Sequence, residues 1–476
     1  MAGTESLDLE SRIGARGSGR MAAMDILWLL SSPLRIYSVT RITFRCAMVD
    51  EWYTDLHLLT RLGGTAVATH DGMCDQTPAS RRAVTVTPLE PARLATAKRA
   101  FSTRRAPAES MRTLVSGQVR PRSGDLVLAR VDRIGHHTKL ELTTGRRSHM
   151  HIGDEIIVAY AHRYAPDQFE SEVPVVLRPT HLVAGGGIAS QMLTRSQETR
   201  RPTDITPIGL IGTVRGRVLN VSDFALPPCS AIPPRIPTIA VLGTSMNSGK
   251  TTTVHWLVHA LARVGHRPGA TKVTGTGSGG DYWVMLDAGA HAMLDFTDVG
   301  LATTYRIDIA KVERKAVDLI DHLALAGCGC AVVEVADGLF QRETSRLMES
   351  ELFKERLDGV IFAASDAMGA IGGLHRLRQL GLPVLGISGR FTRSPLAVRE
   401  AEECCDVPVL DLDQLADPVF ASTLFGLEPP HGLVMPDASD VMFEREDAFS
   451  DVDDEPGDLI AVGGLLDTRV YGVGAV

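Results

Sequence analysis

Apolar residues nowhere run on for the roughly 18 positions that a membrane-spanning helix requires, so no segment of this chain is expected to cross a bilayer. Seven cysteines are present, an odd number with no C-x-x-C pair among them. That usage fits poorly with a disulfide framework and points to a reducing cytoplasm. Cys328 with Cys330, and Cys404 with Cys405, read as small apolar fillers rather than metal ligands. A basic excess is also missing: 49 Lys and Arg face 57 Asp and Glu, for a formal net charge of -8, and no nucleic-acid partner is expected. Arg12, Arg16 and Arg20 before MDILWLL imitate a signal peptide. Asp25 interrupts that apolar run and Pro33 ends it, so the h-region is too short.

What is there suits a globular protein. At about 150 residues per domain, 476 residues suggest about three domains, and 44% hydrophobic with 22% charged residues is ordinary composition. Residues 1–119 show no sustained period. Within them the basic stretch ATAKRAFSTRRAPAESMRTLV, 96–115, reads as a surface helix with a solvated face. From about 120 to 226 the texture changes. DLVLARVDRIG, HTKLELTTGRR, DEIIVAYAHRY and HLVAGGGIASQ are β-rich runs broken by Ser-Gly, Thr-Thr-Gly and Gly-Asp, predicting a compact, mostly β domain. His136, His137, His149 and His151 cluster there; His149 and His151 share a strand face, which is metal-ligand spacing. PPCSAIPPRIP, 227–237, holds five prolines and reads as a stiff linker. Between 238 and 428, TIAVLG, GATKVTG, GCAVVEVADG, DGVIFAASD and LPVLGISG are short apolar runs that alternate with amphipathic helical patterns. This predicts an α/β domain with a parallel sheet covered by helices on both faces. Residues 429–476 are acidic, poor in anything to bury, and read as a loosely attached tail.

GTSMNSGKTTT, 243–253, is the most informative stretch. Gly243, Thr244, Ser245, Met246, Asn247, Ser248, Gly249, Lys250, Thr251 and Thr252 have the spacing of a phosphate-cradling loop, entered from the strand TIAVL and left by the helix TTTVHWLVHALARVG. Glycines let successive N–H groups turn inward and the helix N-terminus adds positive dipole, so a polyphosphate is held mainly by backbone. Lys250 would reach the outer phosphates, and Thr251 would ligate Mg2+ through its hydroxyl. No Asn-Lys-x-Asp stretch appears, which leaves adenine, and so ATP, as the default nucleotide.

Acids at later strand ends complete the pattern. Glu334 follows the apolar run CAVV and would be delivered to the carboxyl edge of the sheet beside the loop, as a metal partner. Asp337, in the turn before Gly338, would order a water or belong to the metal's outer shell. Lys272 closes GATKV and opens TGTGSGGD, a position suited to an anionic substrate or a transferring phosphate. Asp281, Asp287, Asp295 and Asp298 are four candidates for a further metal carboxylate, with MLDFTD the most loop-like cluster. Gln341, Arg342 and Glu343 follow a strand end, and Arg390 and Arg393 precede a helix capped by Ser394 with Pro395 in its first turn. These suggest a second ligand surface.

GTSMNSGKTTT, ATKVTGTG and VVEVADG together resemble the dethiobiotin-synthetase-like group of P-loop proteins, whose pattern is GTxxxxGKT, KPxxTG and VVEGAGG. The resemblance covers about 240–390. It implies an enzyme that uses ATP and Mg2+ to activate a small acidic metabolite as a mixed phosphate anhydride for amide or related bond formation. Lys250, Thr251, Lys272, Asp287 and Glu334 would take the corresponding roles, with Asp287 and Glu334 as the acidic magnesium ligands. Val273 stands where that group has proline, and Val335-Ala336-Asp337 replaces its Gly-Ala-Gly. ATKVTG, MLDFTDVG and the apolar-Glu turn also look similar to a P-loop family that includes amino-acid N-acetyltransferases, which implies CoA phosphates in the loop instead. A third expectation is a nucleotide-driven switch or cofactor-delivery protein, with the β domain and acidic tail binding a partner. The expected partner of the site is a small, anionic molecule; a homodimer is left open.

Overall fold

A computed structural model describes residues 84–229 and 232–428, all within one compact unit, Ala79–Val476. The signal-like start and the acidic segment from 429 fall outside the described residues. Two lobes follow one another along the chain, and the difference between them is already written in their strands.

In the first lobe the central strands are apolar on both faces. Leu126 and Leu128 enter one core while Val127, Ala129 and Val131 enter another, and Ile157 and Ala159 are divided in the same way from Ile156, Val158 and Tyr160. Strands so patterned are interior ones. They are β4 (Leu126–Arg133) and β7 (Glu155–Tyr160), inside a ten-stranded sheet. It also contains β1 (Thr85–Pro88), β2 (Lys98–Arg99), β3 (Thr113–Ser116), β8 (Arg163–Tyr164), β9 (Phe169–Glu172), β10 (Thr180–Ala184), β11 (Ile188–Arg195) and β12 (Thr203–Gly212). The order is β1-β3-β12-β4-β7-β11-β9-β8, with β10 joining β11 to β12 and β2 pairing with β7. A hairpin of β5 (Lys139–Glu141) and β6 (Arg147–His149) stands apart, and α1 (Pro91–Thr96) follows β1. The sheet thus begins before residue 120, where the sequence reading placed its start: β1 and β3 pair with each other and β3 with β12.

The second lobe is a six-stranded, wholly parallel sheet in the order β15-β14-β16-β13-β17-β18. Its strands are β13 (Thr238–Gly243), β14 (Pro268–Lys272), β15 (Ala292–Asp295), β16 (Cys330–Glu334), β17 (Gly359–Ala363) and β18 (Val384–Ser388). Between and after them run α2 (Lys250–Arg263), α3 (Gly280–Asp287), α4 (Ile309–Leu325), α5 (Arg342–Glu349), α6 (Glu351–Lys354), α7 (Ala367–Gln379), α8 (Pro395–Glu402), α9 (Leu412–Ala416) and α10 (Pro418–Leu424). Strand alternation divides the core. Ala240, Leu242 and Val333 pack with α4, α5, α6, α7 and α8, while Ile239, Val241 and Val332 pack with α2, α3, α9 and α10. Helices therefore cover both faces. Cys328 and Cys330 are buried, and burial pushes their thiols up to about 11 and about 12, as befits apolar fillers. Among the described residues no helix is long and apolar enough to cross a membrane.

Charge joins the lobes. The basic stretch 96–115 is not a surface helix: it contains β2, two short 3-10 turns and β3, and Phe101, Ser102 and Thr103 are buried. Arg104 reaches across to Asp298 Oδ2 at 2.6 Å and Asp295 Oδ1 at 3.2 Å, with Arg105 3.3 Å from Asp298 Oδ1. Burial opposes the Arg104 charge, but the two aspartates more than offset it and its pKa is raised. Replacing Arg104 with Leu would strand both carboxylates, and losing one member of a buried pair typically costs about 3–5 kcal/mol. Urea unfolding of Arg104→Leu is expected to show a loss of that size; an unchanged midpoint would mean the lobes dock without this pair.

Candidate functional site

Strand β13 ends at Gly243 and α2 starts at Lys250, so the residues between must reverse direction in a tight space. Asn247 and Gly249 both take positive φ, 59° and 102°. A Cβ on Gly249 would lie 2.9 Å from Gly389 Cα, so only glycine fits where the loop crosses the turn after β18. Ser248 O accepts from Arg390 N at 3.0 Å and Thr244 N donates to Ala363 O at 3.0 Å, tying the loop to β17 and β18. The first N–H groups of α2 have no intrahelical acceptor and face the concavity. Lys250 is 6% exposed, and its Nζ donates to Ser245 O at 2.6 Å. Burial pushes its pKa down, with Glu334 and Asp337 opposing. Thr244 Oγ1 and Ser248 Oγ are buried without a hydrogen-bond partner, while Met246 and Thr252 line the cavity.

Strand β16 lies directly beside β13 and ends in Glu334, which is 3% exposed. Lys272 on β14 is in register with Glu334. Its Nζ is ion-paired with Asp281 and stands 3.5 Å from Glu334 Oε1. Burial works against the Lys272 charge, yet Asp281 and Glu334 outweigh it and the pKa is raised. Thr251 Oγ1 donates to Asp281 Oδ1 at 3.3 Å, with Glu334 close by as an alternative acceptor for its one hydrogen. Glu334 Oε2 is buried with no partner, and burial raises its pKa against the pull of Lys272.

A hydroxyl and two carboxylates thus converge, one carboxylate oxygen being unclaimed. Among the described residues no three Asp, Glu, His or Cys side chains gather as a metal cage. Mg2+ needs no such cage, since it keeps waters and takes one or two carboxylates beside phosphate. Thr251, Asp281 and Glu334 fit it.

Several expectations are corrected. Asp287 is not with the group: it is exposed at the far end of α3, six residues and about 9 Å of helix from Asp281. Only the N-terminal Asp281 faces the loop. Asp295 and Asp298 hold Arg104 instead of a metal. His149 and His151 are exposed and join no metal-ligating group among the described residues. Arg390 lines the cavity; Arg342 and Arg393 are exposed. Gln341 caps α5 through a bond from Thr344 N and donates to the buried Glu343.

Asp337 sits where the turn after β16 meets the loop. A Cβ on the next residue, Gly338, would fall 2.2 Å from Thr244 O. Asp337 takes φ 64°, is 8% exposed, and burial raises its carboxyl to about 6. A non-glycine residue held left-handed in a cavity wall is strained backbone of the kind that collects at functional sites.

The opposite wall comes from the first lobe. His137, Arg163, Tyr164 and Gly185 face the loop across a cavity of about 150 Å³, and Asn247 Nδ2 donates to Asp167 Oδ2 at 3.1 Å. That volume is below the 300–1,000 Å³ typical of pockets enclosing whole small molecules, so the enclosed part suits the phosphate end of a ligand and a small partner. The sequence reading missed this wall, because nothing local to...AHRYAPDQF marks it as facing a loop some 80 residues away.

No family model and no curated protein matches this chain. Solved structures similar to part of this chain include the signal recognition particle receptor FtsY from Elizabethkingia anophelis in complex with GDP. It is 13% identical over 42% of this chain and 67% of that one, at a TM-score of 0.29. The signal recognition particle 54 kDa protein from Aeropyrum pernix K1, also with GDP, is 19% identical over 41% and 47%, at 0.27. A LAO/AO transport system kinase is 17% identical over 40% and 60%, at 0.27. At these scores the likenesses carry no argument, and the fold is read from the strand order and the loop themselves. The chain carries a P-loop α/β fold.

Gly249→Ala is expected to abolish ligand binding at the loop while leaving a folded protein. Differential scanning calorimetry with and without Mg-ATP checks this, and a ligand-induced shift equal to wild type would refute the crowding argument.

Proposed function

We propose that the chain is a Mg2+- and ATP-dependent enzyme that activates a small anionic metabolite by phosphate transfer, ahead of amide or related bond formation. The reading rests on one observation: Thr251 meets Asp281 and the buried, half-unpaired Glu334 directly beneath the phosphate loop. The likeness to the dethiobiotin-synthetase-like group supports it, with Asp281 in place of Asp287 as the second carboxylate. A reducing setting is consistent with the described cysteines, all free thiols.

In this reading Lys250 leaves Ser245 O and turns to the outer phosphate oxygens, and Lys272 stabilises charge on the moving group. An acceptor oxygen bonds to the terminal phosphorus as the bond to the bridging oxygen breaks, its electrons leaving with the diphosphate. Bound Mg2+ supplies charge neutralisation at the phosphates. Asp337, where the resembled group has glycine, serves the following step: it accepts the proton from the nitrogen that attacks the acyl phosphate as the carbonyl carbon–oxygen bond breaks and phosphate leaves.

Thermal shift separates the readings: Mg-ATP at about 100 times its dissociation constant should stabilise the protein by about 2.7 kcal/mol, and acetyl-CoA should not. Stabilisation by acetyl-CoA alone would overturn the proposal. Asp281→Ala is expected to remove the Mg2+-dependent part of the shift, whereas Asp287→Ala should behave as wild type.

Asp337 gives a pH signature. Its carboxyl titrates at about 6 in the folded protein against an ordinary 3.8. Below pH 3.8 it is protonated whether the chain is folded or not and costs nothing. Between pH 3.8 and about 6 the unfolded chain releases its proton while the folded protein keeps it, so stability falls by about 3 kcal/mol, at about 1.4 kcal/mol per pKa unit, and above pH 6 the fold carries the buried charge with that loss complete. Asparagine tolerates the left-handed conformation. Asp337→Asn should therefore be more stable than wild type above pH 6 yet turn over roughly 100-fold slower or worse, and wild-type turnover should climb as pH passes through about 6. A variant that is both less stable and active would refute the role.

A further inference from the structure

Resting on the reading above, we infer that the first lobe holds the acceptor, and that Arg163 selects it by binding a carboxylate across the cavity from the phosphate loop. Arg163 lies on β8, is 4% exposed, and lines the same cavity as Lys250, Lys272 and Asp337. Few side chains are as costly to bury as a guanidinium, and its planar fork matches a carboxylate in two bonds. One amino group of that fork donates to Gln168 Oε1 at 2.8 Å, and the other is 3.4 Å from His137 Nε2. The ring of Phe169 lies below it, 5.9 Å from centroid to guanidinium. The Gln168 bond and the Phe169 ring fix its direction, because His137 Nε2 gives its hydrogen to Val183 O at 2.9 Å. Tyr164, next along β8, contributes a phenol to the same wall and packs on Tyr305 of the second lobe at 5.5 Å.

The wall discriminates by charge. His137 is held neutral at physiological pH, because burial, with Arg163 and His136 adding to it, pushes its pKa well below the ordinary value. Opposite Arg163, the second lobe presents the carboxyl of Asp337, whose charge Arg163 favours and the nearby buried Glu343 opposes. A monoanionic carboxylate paired with Arg163 is tolerated beside them. With Lys272 paired to Asp281 and Lys250 given to the nucleotide's phosphates, a doubly charged phosphate on the acceptor would bring a second negative charge that Arg163 alone does not offset.

The test uses the full chain, with succinate, its neutral diamide and inorganic phosphate as probes, and AMP-PNP with Mg2+ as a separate probe of the loop. Isothermal titration of wild type should show binding of succinate with the loop filled, and little of the diamide or of phosphate. Arg163→Gln should weaken succinate roughly 10- to 100-fold and leave AMP-PNP affinity within about twofold, which also certifies the fold. Arg163→Lys, keeping the charge and losing the fork, should fall between. Succinate binding that ignores Arg163→Gln, or that the diamide or phosphate equals, overturns the inference, as does no succinate binding to wild type. Succinate binding lost in Arg163→Gln from a protein that never binds AMP-PNP would sustain the acceptor site and overturn the nucleotide reading instead.

Discussion

Two ammonium groups and three carboxylates are concentrated at one edge of a parallel sheet, and the rest of the molecule is arranged around that concentration. Lys250 and Lys272 face Asp281, Glu334 and Asp337, all buried or half-buried. Charges removed from water are tolerated only when paired, and the buried guanidinium of Arg163 in the same cavity brings the cations to three against three carboxylates. The pairing is nonetheless incomplete locally, since Glu334 Oε2 beside Thr251 has no partner. A divalent cation held by Thr251, Asp281 and Glu334 would satisfy that oxygen. The backbone of the loop can cradle phosphate, and under the proposed function these carboxylates would favour a cation arriving with it.

The glycine-rich segment after β14 serves the same edge in a way its composition does not announce. TGTGSGGD reads as a second anion-facing loop, and its first neighbour, Lys272, is indeed in the charge cluster. Its glycines, however, are spent on docking. A Cβ on Gly186 of the first lobe would lie 2.2 Å from Gly277 O, and Gly279 N donates to the buried Glu141 at 2.6 Å. Asp281 begins the next helix. The segment that delivers the Asp281 carboxylate is thereby clamped by the β lobe, so the position of Asp281 depends on both lobes.

Periodicity carried the reading wherever neighbours in sequence are neighbours in space. The five apolar runs of the second lobe became strands, and the loop with its strand and helix was legible because its chemistry is local. The sequence of β15 reads as loop because the strand is four residues long and ends in Asp295, too short and too polar for a period to show. The choice of Asp287 over Asp281 failed on helix geometry, since a resemblance in spacing does not tell which end of a short helix faces the phosphate. Arg104 and Arg163 were invisible for another reason. Arg104 meets Asp298 across 194 positions of chain, and no window of sequence contains both. A basic run is ordinarily a solvated face, and only the fold reveals that this one is a pin.

That pin changes what the loop can do. Arg104 with Asp298, Glu141 with Gly279, and Arg306 with Glu172 hold the lobes together from separate segments of chain, so the cavity is walled before any ligand arrives. Asn247 is different, because it belongs to the phosphate loop itself and reaches Asp167 in the turn between β8 and β9. The same turn carries Gln168, which fixes Arg163. Under the proposed function, a ligand that settles the loop would bear on the residues that orient the opposite wall only through this one exposed bond, so the two ends of the cavity bind largely independently.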